Sequence, residues 1–169
     1  MTDWFFDARA LFVVASVMLS GCDRPDDPPP PTLIFEGLPI TGRWDDARHA
    51  GFTSCVKVAR RQLRCRRSGV TFRGFGPFTA AVDLYGSGGR SGFDRLTLWH
   101  ERDQSALIQL VKSLEREGWQ ACFTGEGNRG DQAIYKNPNA AVIISVELSY
   151  SAKRRLTFLP RSNELQTHC

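Results

Sequence analysis

Phe78-Thr79-Ala80-Ala81-Val82-Asp83-Leu84-Tyr85 places Phe78, Ala80, Val82 and Leu84 at alternate positions. A period of two puts them on one side of an extended chain, which is the pattern of a strand with one buried face. Residues 93–100 alternate again through Leu96 and Leu98. Gly86-Ser87-Gly88-Gly89-Arg90-Ser91-Gly92 between the two segments reads as a mobile loop, and Gly74-Phe75-Gly76-Pro77 upstream reads as a break.

Working outward, residues 53–58 and 62–67 form a hairpin around Ala59-Arg60-Arg61. In that register Cys55 faces Cys65, and 70–72 continues the extended chain. Residues 41–51 read as a short helix stopped by Gly51. A second helix is capped by Asp103 and runs to about Glu117. Its Leu107, Leu110, Val111 and Leu114 make one apolar stripe, and Gly118 ends it. Strands follow at 119–124, 131–136, 140–150 and 153–159, with turns at Asn137-Pro138-Asn139 and Ser151-Ala152.

The order conceals an internal similarity. Gly51-Phe52-Thr53-Ser54-Cys55 matches Gly118-Trp119-Gln120-Ala121-Cys122. Val82-Asp83-Leu84 matches Val146-Glu147-Leu148, and Arg95-Leu96-Thr97-Leu98 matches Arg155-Leu156-Thr157-Phe158. The expected fold is α+β, an antiparallel sheet with helices on one face. Two repeats, 41–100 and 103–160, would each be a helix plus a four-stranded meander. Chance similarity between amphipathic strands is the alternative.

The N-terminus carries an address. Residues 10–19 are almost wholly apolar. Ten residues of helix span only about 15 Å, against the ~20 residues a bilayer core requires. The length fits the apolar core of a signal peptide. Leu19-Ser20-Gly21-Cys22 closes that run and resembles the lipobox of bacterial lipoprotein precursors. The n-region, with Asp3, Asp7 and Arg9, lacks the usual basic excess.

The resemblance implies removal of residues 1–21, acylation of the Cys22 thiol and anchoring to a membrane facing the periplasm. It covers about the first 22 residues only. More than one acyl chain is required for firm anchoring, and the class supplies a diacylglycerol and often a third chain. By the same resemblance Asp23 favours inner-membrane retention, with the outer membrane as the alternative. Residues 22–31, with five prolines, read as an extended spacer, and 32–169 as a single domain.

Four cysteines follow Cys22: Cys55, Cys65, Cys122 and Cys169. An even number in an exported chain argues for two disulfides. Three pairings exist; a local Cys55–Cys65 bridge leaves Cys122 with Cys169. No pair has zinc-ligand spacing, and no metal or cofactor is expected.

The chain carries a formal net charge of +4. Lys57, Arg60, Arg61, Arg64, Arg66, Arg67 and Arg73 occur with no acidic residue between 57 and 73. Lys153, Arg154, Arg155 and Arg161 add a second group. Such clusters attract anions, here anionic lipid, cell-wall polymer or an acidic protein, since nucleic acid is not a partner outside the cytoplasm, and Lys57, Arg60, Arg61, Arg64, Arg66 and Arg67 are the six candidate binding residues. A solvated basic face is the plain alternative. Phe72, Phe75, Phe78 and Trp99 read either as an apolar partner patch or as core.

Catalytic motifs are missing from the sequence: no nucleophile elbow, metalloprotease helix or phosphate loop occurs. Gly125-Glu126-Gly127-Asn128-Arg129-Gly130 sits between strands and reads as a hairpin loop. Neither His49 nor His168 stands in a motif. His100 with Glu101 and Asp103 could form an acid–base cluster, but a strand end beside a helix cap explains them. The expectation is a lipid-anchored, non-catalytic envelope protein with a binding or structural role. An inhibitor of an envelope-directed enzyme, or a hydrolase using His100, ranks behind it.

Overall fold

The alternation at 78–85 becomes the heart of a long central strand. The computed structural model describes residues 25–125, 131–147 and 154–161. Strands β1 (Leu33–Phe35) and β2 (Leu38–Thr41) pair as a two-stranded antiparallel sheet. Helix α1 (Trp44–His49) precedes β3 (Ser54–Ala59), β4 (Gln62–Phe72), β5 (Phe75–Tyr85) and β6 (Leu96–Trp99). Helix α2 (Ser105–Arg116) precedes β7 (Gln120–Phe123), β8 (Gln132–Lys136), β9 (Val142–Glu147) and β10 (Leu156–Pro160). Strands β3 to β10 form one eight-stranded antiparallel sheet in the order β3-β4-β5-β6-β10-β9-β8-β7.

The architecture is more β-rich than the α+β expectation, with only two α-helices among the described residues. The additional β1–β2 pair was not anticipated. Alternation sorts the main sheet's side chains into an inner and a second face. On the inner face, Val82, Leu84, Leu96, Leu98, Ile144 and Leu156 are buried in one cluster. Ala47 of α1 and Leu107, Leu110 and Leu114 of α2 belong to the same cluster, as do Leu38 and Ile40 of β2. Burying one such leucine is worth about 1.5–3 kcal/mol, so the α2 stripe rather than helix propensity fixes α2 on the sheet.

Both helices end alike. After α1, Gly51 (φ 84°) donates its N–H to Arg48 O at 2.9 Å, and Phe52 donates to Ala47 O at 3.0 Å. After α2, Gly118 (φ 85°) donates to Glu115 O at 3.1 Å, and Trp119 donates to Leu114 O at 3.1 Å. Left-handed backbone at this position is where glycine costs least. Phe52 and Trp119 are then buried beneath the sheet.

Two expectations are corrected. Gly74-Phe75-Gly76-Pro77 does not break the sheet: β4 turns at Arg73 and Gly74, and β5 starts at Phe75. The register shifts between Val70↔Phe78 and Phe72↔Phe75, so Pro77 falls at a bulge, where a missing N–H costs no ladder bond. The Gly86–Gly92 stretch is a hydrogen-bonded turn. Ser91 N donates to Tyr85 O at 3.0 Å, Tyr85 N donates to Gly92 O at 2.8 Å, and Asp26 accepts from Ser87 N at 2.9 Å.

The described part of the spacer is seated on the domain. Asp26 is also ion-paired with Arg61, and Pro31 O accepts from Thr41 Oγ1 at 2.6 Å. Among the described residues no helix is long and apolar enough to cross a membrane. The signal segment, Cys22, Asp23, Leu148, Lys153, His168, Cys169, the turn at Ser151-Ala152 and most of the Gly125–Gly130 loop lie outside the described residues.

Candidate functional site

The second face of the sheet carries a groove of about 260 Å³. Its floor is one row of residues across the strands. Arg66 pairs with Ala81, Ala81 with Thr97, Thr97 with Thr157 and Thr157 with Ser145. The middle of this row is small, so the longer neighbours two positions along each strand stand up as walls. Arg64, Asp83 and Arg95 form one wall; Trp99, Arg155, Glu147 and Gln132 form the other.

The walls are charged, with four arginines and two carboxylates lining the groove. Arg64 donates to Asp83 through Nε and Nη2, both at 2.7 Å. This bond holds the Arg64 guanidinium above its usual pKa. It also neutralises Asp83, which lies among basic groups. Arg95 is forked onto its neighbour Asp94 at 2.9 and 3.0 Å. Arg66 lies over the Trp99 ring, 5.7 Å from its centroid. That distance is within cation–π range. Trp99 is held by a 2.7 Å bond from its Nε1 to Glu101. The exposed Arg155 has no ion pair among the described residues. Glu147 stands beside it, its N–H donating to Arg155 O at 3.0 Å. The floor hydroxyls of Thr97 and Thr157 are 3.5 Å apart, a weak contact that leaves both available.

The structure divides the six residues expected to bind an anion. Arg64 and Arg66 reach the groove. Lys57 pairs with Leu63 and Arg67 with Ala80, so both lie on the opposite side of their strands. Arg67 donates to Ala50 O at 2.8 Å. Arg60 is exposed in the β3–β4 turn, and Arg61 is engaged by Asp26. Strand alternation, which a run of basic letters conceals, splits the cluster. Arg73 ties two turns and the end of α2 together through Glu36 and Glu117. Arg161 donates to Pro138 O at 2.6 Å, and Arg154 N donates to Gln104 at 2.7 Å.

Arg95, Thr97 and Thr157 were not expected in a site, and Arg155 only as one member of the second basic group. The signal was present: Arg-Leu-Thr in both segments puts arginine and threonine two apart, on one side of a strand. Of the two readings of the phenylalanines, core holds: Phe72 and Phe78 are buried and Phe75 packs against the core cluster.

Cys55 and Cys65 are directly opposite and disulfide-bonded. Cys122 is disulfide-bonded as well. Its expected partner, Cys169, is outside the described residues. In the His100 cluster, Nδ1 accepts from Asp103 N at 2.7 Å, and Asp103 in turn accepts from Ser105 N and Oγ. Glu101 accepts from Thr79 and Trp99. Among the described residues, no three His, Cys, Asp or Glu side chains converge as a metal site.

No protein-family model, curated protein or solved structure matches this chain.

Proposed function

We propose that this chain is a lipid-anchored extracytoplasmic protein that binds an anionic partner through the groove on the second face of its sheet. The carrying observation is the convergence of Arg64, Arg66, Arg95 and Arg155 around a floor of small side chains, three of them hydroxyl-bearing. Arginine suits this role because its planar fork recognises carboxylate or phosphate through paired bonds. The role is binding rather than catalysis: His100, just after β6, accepts the Asp103 N–H through Nδ1 and so shapes the turn into α2. The anchor is Cys22, after removal of residues 1–21, with the membrane facing the periplasm. The Cys55–Cys65 bridge supports an oxidising destination.

We also propose that the domain is a duplicated unit. Helix ends with matching hydrogen bonds precede β3–β6 in one half and β7–β10 in the other. Strand order runs inward from both edges and meets at β6–β10. There Leu96↔Phe158, Thr97↔Thr157 and Leu98↔Leu156 pair as a two-fold relation about the threonines requires. Val82↔Leu96 in one half answers Val146↔Leu156 in the other. The groove lies across that axis, with Arg95 and Arg155 as counterparts.

The test is photo-crosslinking in intact cells, with the reactive side chain at position 157 in the groove or at position 57 on the other face. The groove site is expected to give the adduct, and Arg66→Glu with Arg155→Glu to abolish it. An adduct at 57 alone would contradict this reading.

A further inference from the structure

The groove's volume, about 260 Å³, falls just below the roughly 300–1,000 Å³ of sites that engulf a whole small ligand. It therefore suits one end of a longer molecule. Three observations narrow the chemistry. The ring face of Trp99 is covered by Arg66, so a sugar has no aromatic platform to stack on. The basic groups are walls of a depression in the middle of a sheet, a poor fit to the flat surface of a bilayer. Glu147 puts a carboxylate without an ion pair among the described residues into the same groove, which opposes a ligand carrying dense negative charge.

Resting on the anion-binding reading, we infer that the groove takes the free C-terminus of a peptide chain. Arg66 and Arg155 donate to the terminal carboxylate. The Arg66 guanidinium sits over the Trp99 ring, 5.7 Å from its centroid, so the ring restrains it by cation–π attraction while its N–H donors stay available. Thr97 and Thr157 supply hydroxyl donors on the floor. Glu147 accepts the amide N–H of the terminal residue.

The experiment is calorimetric titration of the full-length protein in detergent with acetyl-Ala-Ala, its C-terminal amide, inorganic phosphate and phosphatidylglycerol vesicles. Acetyl-Ala-Ala is expected to bind and to shift the Trp99 indole N–H resonance. Amidation, Arg66→Gln or Arg155→Gln should each weaken it at least ten-fold, and Glu147→Gln should weaken it less. Both arginines are exposed, so the variants should keep the wild-type melting temperature. Equal binding of acid and amide would overturn the inference. So would phosphate or vesicle binding that depends on Arg66 without peptide binding, although the anionic groove would then stand. Failure of every anion to bind would remove both readings.

Discussion

Thr97 and Thr157 face each other across the β6–β10 pair, their hydroxyls 3.5 Å apart at the middle of the eight-stranded sheet. The contact joins the two halves of the sheet and floors the groove. Because the bond is long, it contributes little to stability. Thr97→Val with Thr157→Val should change unfolding free energy by less than about 1 kcal/mol in a denaturant titration. The same double variant should bind the groove's ligand more weakly, because two floor donors are gone.

Arg64 and Asp83 form a two-pronged pair with side chains 32% and 13% exposed. Partial burial and paired bonds put it at the upper end for surface ion pairs, about 1 kcal/mol. A double-mutant cycle of Arg64→Gln and Asp83→Asn should return a coupling of that size. Asp83→Asn alone should also raise the groove's affinity for anions, since a carboxylate has been removed from its wall.

Cys55 and Cys65 close a short loop between an edge strand and its neighbour. Loop-closure entropy assigns such a bridge about 2–3 kcal/mol. All of β3 is exposed, so little packing replaces it. Cys55→Ser with Cys65→Ser should lower the melting temperature by several degrees and speed hydrogen exchange first in β3.

Asp46 accepts from Arg43 N at 2.7 Å and Thr32 Oγ1 at 2.9 Å, and these bonds hold its carboxyl below the usual carboxylate range. The Ser105 hydroxyl and amide do the same for Asp103. A carboxyl depressed in the folded state stabilises it fully above the unfolded value. That contribution disappears as pH falls through the folded value. The melting temperature should therefore hold from neutral pH down to about 4 and then drop. Asp46→Asn should melt lower at pH 7 and show a shallower acid limb.

Much of the sheet was legible because β5, β6 and α2 each bury one periodic set of side chains: Val82 and Leu84, Leu96 and Leu98, Leu107 with Leu110 and Leu114. The Cys55–Cys65 register was legible from the hairpin around Ala59-Arg60-Arg61, whose turn sets which residues stand opposite. The β1–β2 pair was not, since three- and four-residue strands are too short to show a period. Its burial comes from packing of β2 against β10 and β6. Pro77 misled because a bulge absorbs it. The groove escaped notice because its floor is Ala81, Thr97, Thr157 and Ser145, residues without distinctive chemistry that the topology of β5, β6, β10 and β9 gathers into one row. The basic run drew attention to six residues, of which alternation delivers two to the groove.

The proposed role depends first on the address, because a lipid-anchored protein of this kind would meet its partner outside the cytosol. The direct measurement is intact-mass and N-terminal peptide mass spectrometry of the protein purified from its own cells. The account predicts a chain beginning at an acylated Cys22, with lipid lost on Cys22→Ser. A chain retaining Met1 with an unmodified Cys22 thiol would contradict it.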